Sequence, residues 1–170
     1  NMFGYITVVA KGTRKATSKL RGNINEYTLA TISVVKGKEM FRLTDAKQVF
    51  SFTQSRSVVS FFRAAEKLFF NHEEEFGLQT HEHIYQMLIR LAKLLVFIVN
   101  EDIACDRQDV QDFFTVFVRG EQGFLPKVNW GEGYTVDDFL KLDDVKMCTW
   151  LKINKEIIFE LLRKDRERVG

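Results

Sequence analysis

The chain has 170 residues, of which 45% are hydrophobic and 16 are Phe, so it can bury the core of one average domain or two small ones and is not a disordered protein. The net charge of +2 hides an uneven distribution, because residues 1–56 hold ten Lys/Arg against three Asp/Glu, whereas residues 57–170 hold 15 against 20. This asymmetry favours a polyanion-binding module joined to a neutral-to-acidic one.

The first third of the chain is rich in β-branched and aromatic residues, which predict short strands. We expect strands over residues 5–10, 27–35, 40–44 and 48–52. Gly37 lies between two lysines, and we expect a hairpin turn there in which Gly37 takes a positive φ. The pattern is most similar to a five-stranded OB barrel that lacks one or two strands, and a hairpin upstream of the chain would complete it.

A basic segment follows the first predicted strand. The stretch GYITVVAKGTRKATSKLRG, residues 4–22, contains no acidic residue, and small polar residues separate its cations. Such a loop could lie along a polyanion, with hydroxyls and backbone N–H groups binding phosphate oxygens, although a solvated surface loop is the alternative interpretation. The candidate DNA-binding residues of this stretch are Lys11, Arg14, Lys15, Lys19 and Arg21. Three further cations add to the basic surface in the following strands and hairpin: Lys36, Lys38 and Arg42.

Aromatic side chains of the predicted barrel are candidates to stack on unpaired bases, because OB folds combine aromatic residues with a basic groove. These candidates are Tyr5, Tyr27 and Phe41. The direction in which each ring points depends on the strand register, which the sequence leaves open.

From residue 57 onwards, apolar residues recur with a helical period. The predicted helices cover about residues 57–69, 80–100, 106–119, 136–140 and 145–166. Ser57 is the expected N-cap of the first helix, and a capping box at residues 135–138 is expected to open the fourth. The second helix is apolar nearly all round in its C-terminal half, so we expect it to be the most buried. The sequence thus predicts an α+β fold, in which a partial OB-like barrel of residues 1–56 packs against an all-α helical bundle of residues 57–170.

Motifs that support enzyme chemistry are missing from the sequence, which lacks GxxxxGK[ST], GxGxxG and GxSxG. His72, His81 and His83 lie near several glutamates, but their spacing does not complete a tetrahedral metal site. We therefore expect surface histidines and a non-enzymatic protein with no metal and no cofactor.

The two cysteines, Cys105 and Cys148, lie far apart in the sequence and belong to no CxxC pair, so we expect both to be reduced. No signal peptide is recognised, and the longest apolar run, residues 94–99, is much shorter than the ~20 residues of a membrane span. The expected location is the cytoplasm, with no membrane partner.

The order of motifs in the N-terminal third resembles the RecO family of DNA-repair proteins. The basic stretch is followed by YTL at residues 27–29, KGK at 36–38 and RLTDA at 42–46, at about the spacing found in that family. The resemblance covers residues 4–52 well, and GFLP at 123–126 extends it more loosely into the helical part. Two features of the family are missing: the first two barrel strands and the four-cysteine zinc module after the Gly-aromatic-x-Pro stretch.

The resemblance implies an N-terminal OB barrel, a C-terminal helical bundle and a role in recombinational repair. It implies binding to single- and double-stranded DNA, annealing of complementary strands, and work with RecR to load RecA on strands coated by the single-stranded-DNA-binding protein. The main alternative is a protein-interaction module whose helices recruit partners while the barrel is a scaffold with no direct DNA role. A metal-dependent enzyme is a third possibility.

Overall fold

In a computed structural model, an open three-stranded sheet precedes a set of helices, so the predicted order of strands and helices in an α+β fold is confirmed. The structure describes residues 7–11, 13, 18, 20–38, 40–52, 55–70, 82–129, 131 and 135–169. The strands are β1 (Val8–Val9), β2 (Thr28–Lys36) and β3 (Phe41–Ser51). The helices are α1 (Arg56–Phe70), α2 (Glu82–Asn100), α3 (Arg107–Glu121), α4 (Val136–Leu140) and α5 (Asp144–Val169).

The central strand of the sheet is β3, which has β1 on one side and β2 on the other. β2 and β3 are antiparallel from the Thr28–Ser51 pair to the Lys36–Phe41 pair, whereas β1 runs parallel to the start of β3. The prediction of two separate strands over residues 40–44 and 48–52 is wrong, because Asp45, Ala46 and Lys47 continue the ladder with β2. Among the described residues the sheet does not close into a barrel.

Gly37 makes the predicted hairpin turn between β2 and β3, but not for the predicted reason. Its backbone N–H donates to the carbonyl oxygen of Met40 at 3.1 Å. A Cβ built on Gly37 would lie 2.6 Å from the same oxygen, which is too close for any side chain. The predicted positive φ at Gly37 is wrong, since the described glycines with positive φ are Gly22, Gly123 and Gly131. The turn needs glycine for close backbone approach.

The helices contain the main hydrophobic core. Leu91 and Leu94 of α2 are completely buried, but the expectation that α2 is the most buried helix is wrong, because nine of the 15 residues of α3 are buried against seven of the 19 residues of α2. Helix α3 adds a cluster of aromatic rings, in which Phe113 lies 5.3 Å from Trp150 of α5 between ring centroids. The sheet joins this core at the end that contains Tyr27, Leu29, Phe50 and Phe52, of which Phe52 is buried and the other three pack against the core.

Two helix N-caps were predicted, of which the structure confirms one. Thr135 and Asp138 form the predicted capping box of α4, in which each side chain accepts a backbone N–H of the other residue. Helix α1, however, begins at Arg56, and the N–H of Val59 donates to the carbonyl oxygen of Ser55 at 3.1 Å. Ser55 therefore occupies the N-cap position, and the prediction that Ser57 caps α1 is wrong.

None of the described helices combines the length and the apolar character that crossing a bilayer requires.

Candidate nucleic-acid interface

The register of β2 and β3 separates their side chains into two faces, because residues opposite each other in an antiparallel pair point to the same side. In the register, Thr31 lies opposite Lys47, Ser33 opposite Asp45, and Val35 opposite Arg42. All six of these residues are exposed. We call this the open face, defined by Thr31, Ser33, Val35, Arg42, Asp45 and Lys47.

The opposite face of the sheet, the inner face, has a small core of its own. Leu43 and Ala46 of β3 are buried there against Leu20, with Ala10 and Val34 packed around them. The segment that contains Leu20 is also tied to β3 by the N–H of Gln48, which donates to Asn23 Oδ1 at 3.4 Å. These contacts cover part of the inner face, on which Ile32, opposite Ala46, remains 43% exposed.

The described candidate cations lie on the sheet and on the segments next to it. The register places Arg42 on the open face, whereas Lys36, opposite Phe41, lies on the inner side. Lys36 and Lys38 lie at the hairpin end of β2. Lys11 follows Val9, which lies opposite Arg42 in the parallel pair, so Lys11 lies near the first half of β3. Arg21 is exposed next to the buried Leu20, on the segment that is tied to β3. Three other candidates lie outside the described residues: Arg14, Lys15 and Lys19.

The cations of the sheet region form no ion pair with any residue that the structure describes. The six described cations of residues 7–52 are Lys11, Arg21, Lys36, Lys38, Arg42 and Lys47, against two described acids, Glu26 and Asp45, a net charge of +4. In the helices, by contrast, Arg90, Arg119 and Lys155 are paired with aspartates. The sheet therefore presents positive charge that nearby described carboxylates do not neutralise, and such a surface attracts a polyanion.

Lys47 is a further candidate cation, which the sequence analysis did not select. Because it lies between the predicted strands over residues 40–44 and 48–52, the sequence could not assign its side chain to a face of the sheet. In the structure, β3 is continuous and Lys47 lies on the same face as Arg42. The signal that could have identified it is the alternation of Asp45 and Lys47 with the apolar Ala46, which is typical of a strand with one buried face.

Tyr27, one of the candidates for base stacking, instead connects the sheet to α1. Its ring stacks on Phe62 with 5.7 Å between centroids, and its hydroxyl accepts a hydrogen bond from Arg63 Nε at 3.4 Å. The hydrogen bond with Tyr27 is the main reason why the pKa of Arg63 is raised above its ordinary value. Phe62 covers one face of the Tyr27 ring, so only the other face is left for base stacking.

Phe41, the other aromatic candidate within the described residues, does not lie on the open face either. Phe41 lies opposite Lys36 and shares the inner face with Leu43, where it is half-buried. Tyr5 lies outside the described residues. Among the residues that define the open face, none is aromatic, so contacts there would go to the phosphate backbone more than to the bases.

Metal ligands do not come together in the described part of the chain, where no three His, Cys, Asp or Glu side chains converge on a point that could hold an ion. His83 is exposed, with its Nε2 4.0 Å from Asp137 Oδ1, whereas His72 and His81 lie outside the described residues.

Comparisons of the chain with protein-family models, with curated proteins and with solved structures find no match.

Proposed function

We propose that this protein is a non-enzymatic DNA-binding protein of recombinational repair, which binds the phosphate backbone on the open face of its sheet. The observation that carries the proposal is the group of sheet cations without ion pairs to described residues. A net charge of +4 over the described residues 7–52 is more than solubility requires, and its cations lie on the small sheet and on the segments next to it. Affinity would come mainly from phosphate neutralisation, with little sequence preference.

The lack of an aromatic residue on the open face suits strand annealing. A protein that stacks on bases must release them before two strands can pair. Cations such as Arg42 and Lys47 bind phosphates and leave the base edges free, while they reduce the repulsion between two DNA strands. We therefore propose that the protein binds single- and double-stranded DNA and anneals complementary strands.

The proposed barrel and the proposed protein partners depend on the motif order that resembles the RecO family. We propose that the three described strands belong to an OB-like barrel, and their mixed parallel and antiparallel pairing is consistent with a partial barrel of this kind. On the same resemblance, the proposed direct partners are RecR and the single-stranded-DNA-binding protein. RecA is an indirect partner, because the protein would work with RecR to load RecA on coated strands.

A titration of fluorescent oligonucleotides tests the DNA-binding proposal directly. We expect binding to single strands of unrelated sequence with similar affinity, and a steep loss of affinity with added salt. A dissociation constant that is the same at low and high salt, or no binding at low salt, would contradict the proposal.

A second candidate function, a protein-interaction module, is favoured by one observation on α5. Ile153, Ile157 and Phe159 are 75%, 61% and 60% exposed, which is unusual for large apolar side chains on a helix that has a buried face. Ile153 and Ile157 are one turn apart and so lie next to each other on the surface. Binding through such residues would hardly respond to salt, and this separates the two candidates.

A further inference from the structure

Helix α5 has a buried side and an apolar outer side. Met147, Leu151 and Ile158 of this helix lie in the hydrophobic core. Ile153 and Ile157 project from the other side, and both are largely exposed to solvent. A single exposed apolar side chain is common on a protein surface, but two neighbours one turn apart in the middle of a long helix favour a partner.

The outer side of α5 continues above and below the two isoleucines. Five exposed residues, each three or four positions from the next, lie along one line of the helix over about four turns. Thr149 Oγ1 in this line donates to the carbonyl oxygen of Val145 at 2.9 Å, so its hydroxyl already has an acceptor within the helix. We call this line the outer stripe, defined by Lys146, Thr149, Ile153, Ile157 and Glu160.

The residues of the outer stripe are arranged symmetrically about Ile153. Lys146 and Glu160 lie seven positions before and after it, and Thr149 and Ile157 lie four positions before and after it. When a second α5 runs antiparallel with the two Ile153 side chains in contact, Lys146 of each copy therefore faces Glu160 of the other. A parallel copy would instead place each charge of the stripe against its own like charge, which is repulsive.

The end charges of the outer stripe are available for new pairs. Lys146 Nζ lies 3.1 Å from Asp143 Oδ2, and Arg163 donates to Glu160 Oε2 at 2.7 Å. Both pairs join exposed side chains on neighbouring turns of the chain. Because such pairs contribute little to stability, they can be exchanged for pairs with a second copy at little cost.

Two further charges flank the outer stripe along one edge. Lys152 and Glu156 are exposed and four positions apart, so they lie on the same edge of the stripe. Neither forms an ion pair with any residue in the described part of the chain. In the antiparallel arrangement the same edges of the two stripes meet, so Lys152 of each copy lies within reach of Glu156 of the other.

We propose that α5 is a homodimer interface, at which the outer stripes of two copies of this chain pack antiparallel with Ile153 on the two-fold axis. A two-fold interface requires a surface that is complementary to itself, and the outer stripe has apolar residues at its centre and opposite charges at matched positions around it. Since the stripe is one helix wide, the dimer is weak and depends on concentration. The proposal rests on the exposed α5 surface of the second candidate function and is independent of DNA binding.

Sedimentation equilibrium of the full chain without DNA, at a series of concentrations, tests the dimer. We expect the mass to rise from that of one chain towards that of two. Ile153→Glu places two carboxylates together on the axis and should keep the protein monomeric. The matched control is Val49→Glu, which makes the same kind of change at a 60% exposed residue of the sheet and should dimerise like the parent protein. Circular dichroism of both variants shows whether each is folded.

Three results would overturn the proposal: a monomer at every concentration, a mass above that of two chains, or a dimer that a folded Ile153→Glu variant leaves intact. None of these results bears on the titration with oligonucleotides, so a failure of the dimer and a failure of DNA binding are distinguishable.

A charge exchange tests the antiparallel arrangement itself. Lys152→Glu makes the edge of the stripe acidic, and Glu156→Lys makes it basic, so each variant alone should dimerise more weakly than the parent protein. An equal mixture of the two variants should associate more strongly than either alone, because an acidic edge then faces a basic one. The double variant with both changes should recover the dimer. A mixture that behaves as the average of its two components would contradict the antiparallel interface.

Discussion

Arg119 of α3 donates from Nε to Asp165 Oδ2 of α5 at 3.0 Å, in an ion pair whose side chains are only 10% and 15% exposed. The guanidinium of Arg119 also lies over the ring of Phe124, 4.5 Å from its centroid. The pair therefore joins the end of α3 to the last turns of α5 in a place where water reaches neither charge easily.

The first prediction concerns this pair. Asp165→Ala should lower the free energy of unfolding by about 3–5 kcal/mol, because Arg119 would remain buried without its carboxylate. Urea denaturation followed by circular dichroism measures the change. The matched control is Glu160→Ala, which removes a carboxylate from the exposed pair with Arg163 on the same helix. This control should change the free energy of unfolding far less than Asp165→Ala, and equal losses for the two variants would show that the Arg119–Asp165 pair is solvated.

The second prediction tests the position of the core. Leu91→Ala and Leu94→Ala in α2 should each cost about 2–5 kcal/mol, since both side chains are completely buried and each truncation leaves a cavity. Val145→Ala on the exposed side of α5 is the control and should change the urea midpoint only slightly. Losses of less than about half a kcal/mol at Leu91 and Leu94 would contradict the burial of these two side chains in the core.

The helical part was largely predictable because its signals are local. The apolar repeat around Leu91 and Leu94 indicates a buried helix, and the hydroxyl of Thr135 three residues before a carboxylate indicates a helix start. The sheet was less predictable, because Asp45 and Lys47 resemble turn residues until the partner strand β2 shows that they alternate with the buried Ala46. The length of β3, and the face of the sheet on which Lys47 lies, therefore become clear only from the pairing with β2.

In the candidate site, five of the eight cations expected to bind DNA fall within the described residues: Lys11, Arg21, Lys36, Lys38 and Arg42. Their selection from the sequence required only charge, whereas the assignment of Arg42 to the open face required the strand register.

The third prediction concerns the pH dependence of stability. The pKa of Cys105 is raised to about 12 in the folded protein from its ordinary value of 9.0, mainly by burial. The unfolded chain therefore loses this proton at lower pH than the folded chain. The stabilisation from the protonated thiol is complete below about pH 9, and it is lost between about pH 9 and 12, by at most about 1.4 kcal/mol per pH unit.

Urea denaturation of the reduced protein at a series of pH values from 8 to 10.5 measures this loss. The Cys105→Ala variant is the control, and because it also changes packing, the slopes against pH are compared rather than the absolute free energies. We expect a steeper loss above pH 9 in the parent protein than in the variant. Parallel slopes would mean that the thiol of Cys105 ionises as easily in the folded state as in the unfolded chain.

The fourth prediction addresses DNA binding on the open face. Arg42→Gln and Lys47→Gln together should weaken binding to all single-stranded oligonucleotides about equally, because phosphates carry no base identity. They should also make the plot of log affinity against log salt concentration shallower. Each lost phosphate contact on a single strand removes about 0.7 from the slope, so the double variant should lose roughly 1.4. Fluorescence anisotropy at four salt concentrations gives both quantities.

The matched control removes the same charge from the helices. Lys93→Gln and Lys141→Gln change two exposed cations outside the sheet and should leave the slope unchanged. If the two double variants reduce the slope equally, only the total charge matters and the open face has no special role. If neither changes it in a protein that still binds DNA, the phosphates bind elsewhere, and Lys15 and Lys19 of the basic segment are the next pair to replace. Urea midpoints close to that of the parent protein would show that the losses come from binding rather than from unfolding, since exposed charges contribute little to stability.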